Sequence, residues 1–273
     1  MKTKVVWFLY LLIYAGIASL CFSDPRYQFS PESPLVYSFK MEGDITYKYE
    51  GVSEEKFNVS TKGIIKLETL EVDDNRCLVK VTPYRTLIKL SDGVLEDITD
   101  IETAISRVIS TSVVEIKPNG EVISVKEIRP GILDISQILM LLPAFPEKLT
   151  RPWKQTVPAF SIPGIPMCAL TFTYSYNQAK EGISRIQLLS NQGIKEEKRE
   201  KDVVISFSGR NSTKGEFLFD EEKGKLKSFG GLVDLILNIV FKVPSSPEQK
   251  TSTKQGIPLK IGVKFNIEII NQN

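Results

Sequence analysis

The sequence predicts a mainly β protein: antiparallel, curved sheets or a half-barrel or sandwich of two similar halves, with a short central apolar helix and a Pro-rich cover. Three observations lead there. Apolar and polar side chains alternate with period two through most of the chain, the pattern of half-buried strands. Pro118-Asn119-Gly120 stands between two β-branched runs, and Asn-Gly suits a tight hairpin because both residues tolerate positive φ. The stretch from Arg129 to Cys168 breaks the alternation with an apolar run and a cluster of prolines.

The elements follow in chain order. Leu35, Tyr37, Phe39 and Met41 alternate with polar neighbours, and Ile45, Tyr47 and Tyr49 repeat the pattern. Glu42-Gly43-Asp44 between them suits a turn or bulge. KGIIKLETLEV and RCLVKVTPYRTLIKL read as strands split by the polar turn Asp73-Asp74-Asn75. Pro83 should mark an edge or a bend, since it cannot donate to a ladder. Residues 91–109 are ambiguous, with a weak helix starting near Asp97. SVVEIKPNGEVISVKEI then supplies the hairpin.

In the central stretch, Ile135, Ile138, Leu139 and Leu142 share one face at helical spacing, with Asp134 as N-cap and Pro143 as stop. Met140 and Leu141 extend the apolar surface nearly all round, so this helix needs a covering. Prolines recur from Pro152 to Pro166, which favours extended backbone poor in ladder bonds. Strands resume at MCALTFTYSYNQ, where even positions from Cys168 to Tyr176 are apolar or aromatic. ISRIQLLS, VVISFSG and GEFLFD continue the pattern, with KEEKREKD as a solvated charge run and EEKG as a turn. LVDLILNIVFKV fits a helix with Asp234 and Asn238 on one stripe, or a strand with every odd position from Val233 to Val243 apolar. Its valine and isoleucine content favours the strand. PLKIGVKFNIEII closes the chain.

Segment boundaries follow from this pass. Residues 1–23 read as a signal peptide, 24–128 as an N-terminal β half, 129–167 as the helix and cover, and 168–273 as a C-terminal β half. Lys2 and Lys4 precede an uncharged apolar run ending at Ser23, the layout of a secretory signal. The alternatives are an uncleaved anchor over residues 5–22 and a lipid-modified Cys21, though Leu20 stands where a lipobox needs a small residue. An exported chain, periplasmic or extracellular, is therefore expected. Losing both lysines leaves 33 basic against 33 acidic side chains, a neutral chain unsuited to nucleic acid. Hydrophobic content of 42% is enough for a sizeable core. Cys77 and Cys168 both fall on apolar faces, so they are either a disulfide pair or two separate buried thiols.

Chemistry is conspicuous by what is missing. The chain has no histidine, which removes Ser-His-Asp and Cys-His catalysis and the usual zinc sites. Ser53-Glu54-Glu55-Lys56 has Ser-x-x-Lys spacing but reads as a hairpin loop. Asp73, Asp74, Glu221 and Glu222 lie in turns and read as solvated surface rather than a carboxylate pair. Asn58-Val59-Ser60 and Asn211-Ser212-Thr213 are glycosylation sequons. No cofactor or metal is expected, and the chain is expected not to be an enzyme. A binding role rests on the apolar and aromatic faces. Should the cover close a groove, its contacts would be Ile135, Ile138, Leu139, Leu142, Trp153, Phe160, Phe172 and Tyr174. The groove would take a lipid or other apolar ligand. The competing reading makes the same residues the plug of a closed core in an envelope structural or protein-interaction module.

YSFKMEGDITYKYE, VEIKPNGEVISV, LLP and a following tryptophan occur in this order between Leu35 and Ile270. On these motifs the chain resembles an uncharacterised bacterial family of exported, β-rich proteins, many of them lipoproteins, grouped as a domain of unknown function. It departs from that family in lacking a lipobox and in placing Arg151-Pro152 before Trp153. The resemblance implies a cell-envelope setting, with contact to an envelope partner and membrane contact only through an uncleaved N-terminus. It implies no known activity.

Overall fold

Alternation resolves into eleven strands in a computed structural model, which describes residues 25–49, 53–90, 111–129, 139, 142–147, 149, 152–158, 168–200, 203–242 and 257–272. They are β1 (Leu35–Tyr49), β2 (Glu55–Val72), β3 (Cys77–Leu90), β4 (Thr111–Ile116), β5 (Val122–Arg129), β6 (Trp153–Pro158), β7 (Ala169–Lys180), β8 (Ile183–Glu200), β9 (Val203–Asp220), β10 (Lys225–Lys242) and β11 (Ile257–Asn271). All belong to one sheet in the order β5-β4-β3-β2-β1-β11-β10-β9-β8-β7-β6. Every neighbouring pair is antiparallel. The two sequence halves therefore join where the first strand pairs the last.

Residues 225–242 are a strand, as their valine and isoleucine content favours. Residues 35–49 form one continuous strand instead of two, so no turn interrupts them at Gly43. A Cβ on Gly43 would lie 1.8 Å from the Lys264 carbonyl oxygen of β11. Glycine here lets two backbones crowd together without breaking the ladder. Of the expected central helix from Asp134 to Pro143, Leu139 is helical, and residues 134–138, 140 and 141 lie outside the described residues. Leu142 N–H donates to the Leu139 carbonyl at 3.1 Å. Pro143 then supplies no N–H to continue the helix. Residues 130–138, and the ambiguous stretch 91–109, lie outside the described residues, as do the proposed signal and the lipidation position Cys21.

Hydrogen bonds reveal how strongly the sheet curls. Tyr27 N–H donates to the Pro118 carbonyl in the β4–β5 turn, and the next residue, Gln28, donates to Gly224 in the β9–β10 turn, both at 2.9 Å. Those turns are six strand positions apart in the sheet order. A flat sheet would separate them by about 29 Å at roughly 4.8 Å per strand. Adjacent residues cannot span that distance, so the sheet rolls over the segment that carries Tyr27. One apolar core fills the rolled face, from Tyr27 through Phe39, Ile65, Val79, Tyr174, Phe217 and Phe229 to Ile269.

Edges β5 and β6 do not pair with each other. A strap at residues 142–145 links them instead. On one side Gln155 of β6 accepts from Ala144 N–H at 2.9 Å and donates to the Leu142 carbonyl at 3.3 Å. On the other, Phe145 N–H donates to the Asn119 carbonyl at 2.7 Å, and Asn119 Nδ2 donates back to Phe145 at 3.1 Å. Asn119 belongs to the predicted hairpin turn, with Gly120 at φ 93°. The hairpin thus serves as a docking point for the cover.

Candidate functional site

The inner face of the rolled sheet is the candidate site, and it has two zones. The first lies at the turn end, where Tyr27, Phe145 and Phe219 form a three-way aromatic contact with centroids 5.1–5.6 Å apart. Tyr27 also donates to the Pro143 carbonyl at 3.3 Å. Leu139 and Leu142 drop from the strap onto Leu35, Tyr37, Ile65, Leu67, Ile116 and Ile269, enclosing only about 30 Å³. That is room for a water or two and not for a ligand. Burial raises the phenol pKa values of Tyr27, Tyr37 and Tyr174 well above the usual tyrosine range, so all three stay neutral here.

Of the residues expected to contact a ligand, Leu139 and Leu142 share this cavity. Trp153 stacks on Tyr174 at 5.5 Å and meets Phe145 at 6.2 Å. Phe172 is buried on the same strand as Tyr174. Ile135, Ile138 and Phe160 lie outside the described residues. Sequence reasoning missed Tyr27, Phe145 and Phe219, the centre of the plug. The signal available was Phe145 itself, an aromatic between Pro143 and Pro146, which had every reason to be anchored.

Cys77 and Cys168 are both buried, and each is a free thiol in this structure. Cys77 opens β3 opposite Ile116, beside the plugged end, whereas Cys168 precedes β7 at the level where Ala169 N–H reaches Glu196. Burial pushes the Cys77 thiol up to about 11, and burial raises Cys168 as well.

Farther along the strands the inner face changes character. Met41, Ile45 and Tyr47 of β1 and Val263 and Phe265 of β11 are only partly buried, although their neighbours along the same strands, Phe39, Ile267 and Ile269, are buried. Pairing sets them side by side: Met41 with Ile267, Gly43 with Phe265, Ile45 with Val263 and Tyr47 with Ile261. The result is a partly uncovered apolar strip on the inner face, its Met41, Tyr47, Val263 and Phe265 packed against the core and bordered by the buried Leu235 and Leu237 of β10.

β8 and β9 contribute a polar inner patch that the alternation did not announce. Thr213 donates to Asn211 at 2.7 Å, Asn211 donates to Ser190 at 2.9 Å, and Ser190 donates to the Thr171 carbonyl at 2.7 Å. Gln192 accepts from Thr171 N–H at 2.7 Å and Glu196 from Ala169 N–H at 3.0 Å. The β7–β8 ladder starts only at Thr173–Leu189, so these side chains satisfy backbone groups of β7 beyond it. Asn211, of the second sequon, is therefore enclosed in this network. Near the opposite end, Tyr176 donates to Glu221 at 2.5 Å and Ser184 donates to the same carboxylate, which ties the β7–β8 and β9–β10 turns together. The turn carboxylate Asp73 caps its own turn, accepting from Asn75 and Arg76 N–H at 2.8 and 2.9 Å.

No protein-family model and no curated protein matches the chain. It is weakly similar to a crystal structure from Nostoc punctiforme, a protein of unknown function from the DUF3598 family. The two share 10% identity over 82% of this chain and 94% of that one, with a TM-score of 0.13. A similarity of that size carries no argument about fold or function.

Proposed function

We propose that this chain is an exported, non-catalytic binding protein that holds a lipid or other apolar molecule against the inner face of its rolled sheet. The partly uncovered strip of Met41, Ile45, Tyr47, Val263 and Phe265 is the observation that carries this reading. Large apolar side chains left partly uncovered on a concave face gain stabilisation when a ligand covers them, at about 25 cal/mol per Å². A concave strip also favours a slender chain over the broad surface of a globular partner. The strap, held by Gln155 and Asn119, would act as a cover for the plugged end and not as the ligand's ceiling, because the space beneath it is filled.

Mass spectrometry of the protein extracted from its native host, under conditions that preserve non-covalent complexes, tests the proposal. An added mass that dissociates as an apolar molecule is expected, together with binding of a naphthalene dye that Val263→Lys reduces at least tenfold. If no such mass appears and the dye does not bind, the alternative takes over: a closed-core envelope structural or protein-interaction module. The small, filled cavity at the turn end favours that alternative. Masses of the extracted protein would also show whether it begins after the proposed signal.

A further inference from the structure

The β2–β3 ladder contains an irregularity with a chemical consequence. Lys62 pairs Leu87 and Ile64 pairs Tyr84, so two residues of β3, Arg85 and Thr86, oppose the single Gly63. An extra residue in one strand reverses which face the following side chains occupy. Val79, Val81 and Pro83 are buried before the bulge, Tyr84 and Arg85 are both exposed, and Thr86 is buried after it. Arg85 carries the distortion at φ 49°, a conformation that non-glycine residues rarely adopt. Strain of this kind persists only where the surroundings require it.

Thr86 is thereby turned onto the inner face, above Gly63. A Cβ on Gly63 would lie 2.6 Å from Thr86 Oγ1 and 2.9 Å from the Phe39 ring, so glycine leaves the space that Thr86 occupies. Thr61, two residues before Gly63, sits beside Met41 at the border of the apolar strip. Thr61 is 2% exposed and Thr86 6%. Neither hydroxyl has a hydrogen-bond partner. A buried hydroxyl without a partner is costly; β2 and β3 hold three, counting Thr82 on the opposite face of β3, and the two on the inner face call for an explanation. Around them the inner face is uncharged: Leu35 to Tyr47, Val59 to Leu67, Cys77 to Pro83 and Leu259 to Ile269 place no charged residue at their inward positions.

We infer that Thr61 and Thr86 are the polar anchor of the site, donating to the ester carbonyl of an acylated lipid whose chain lies along Met41, Ile45, Val263 and Phe265. The inference rests on the apolar-ligand reading and adds the ligand's polar chemistry. An ester oxygen accepts two hydrogen bonds without bringing a charge beside the described inward positions of β1, β2, β3 and β11, which hold no cation to pair it. A free carboxylate would be desolvated there without compensation. The bulge at Arg85 is then the device that re-aims one of the two donors.

A matched series of probes tests this on the full chain: methyl oleate, oleate and 1-octadecene, each measured by displacement of the bound naphthalene dye. Wild-type protein should bind methyl oleate about tenfold more tightly than 1-octadecene, the size expected from two net hydrogen bonds between neutral groups. The double variant Thr61→Val, Thr86→Val should lose that preference and keep its affinity for 1-octadecene. Its thermal midpoint should not fall, because valine removes hydroxyls that have no partner. A wild-type protein that binds the ester and the alkene equally, or a double variant that keeps the preference, overturns the anchor and leaves the apolar-ligand reading standing. Preference for oleate over methyl oleate overturns the uncharged-ester assignment. Failure of all three probes to bind overturns the apolar-ligand reading, and the anchor with it.

Discussion

At the turn end the inner face is filled; midway along β1 and β11 it is only partly covered. The two zones are built from the same kinds of residue on the same strands. What separates them is the covering. Tyr27 and Phe145 reach the first zone from segments outside the sheet and pack on Phe219. Met41, Ile45, Val263 and Phe265 have only partial cover. The comparison teaches that alternation tells which side chains face inward, while segments without alternation decide which of them are buried.

The sharpest way to break this comparison is to truncate one aromatic in each zone. Phe219→Ala removes a fully buried ring from the three-way contact and should cost about 3–5 kcal/mol. Phe265→Ala, partly buried, should cost less than about half of that. Urea unfolding curves with equal slopes would measure both, and equal losses would mean that the strip is core after all. Gly43→Ala should rank next, at about 1–3 kcal/mol, because its new methyl would meet a backbone carbonyl that cannot rotate away. A neutral result in the same assay would mean that β1 and β11 can separate there at no cost.

Gln155→Ala tests the strap. Losing its two bonds to Leu142 and Ala144 should cost about 1–2 kcal/mol and speed hydrogen exchange at Ala144 well before the rest of the sheet. Exchange that stays slow would show that packing alone holds the strap. The smallest effect concerns the thiols. Folded protein at pH 8 should resist alkylation at both Cys77 and Cys168, read by mass spectrometry, because burial holds each thiol in its protonated form. The sign of the linkage follows. A folded pKa raised above the unfolded value contributes stability below the unfolded pKa, and that contribution is lost as pH rises. For Cys77 the window runs from 9.0 to about 11. Cys77→Ala should flatten the loss of stability across that range, and an unchanged profile would assign the loss to other groups.

Much of the fold was legible because a sheet with one buried face writes its period into the chain. The Asn119-Gly120 hairpin and the Asp73 turn followed from local backbone chemistry, whereas Pro83 stays paired with Ile65 inside β3. Gly43 was misread as a turn because close approach of a neighbouring strand leaves the same mark, a lone glycine, as a reversal does. The central helix rested on Ile135, Ile138, Leu139 and Leu142 at helical spacing; of these Leu139 and Leu142 are described, and spacing did not foretell that the Leu142 carbonyl accepts from Gln155 on a strand edge. Long-range order was out of reach: nothing local says that β1 meets β11 or that Tyr27 bridges two distant turns. Candidate contacts suffered for the same reason. Spacing identified Trp153 and Tyr174, which do meet, but it could not show that Thr86 turns inward, since that depends on one extra residue in one of two paired strands.

The pairing of β1 with β11 has a consequence for the order of events in folding. Leu35 to Tyr49 can gain one neighbour, β2, as soon as the chain reaches Val72, but its other edge waits for Ile257–Asn271. Until the C-terminus is available, an apolar strand with an open edge stands exposed at the middle of the future sheet. Contacts of such sequence separation form slowly, because loop closure must come before any gain from pairing. A chain made this way has its most aggregation-prone interval just before the fifteen residues of β11 dock. The last strand acts as the keystone, and the chain cannot complete its core until that strand arrives.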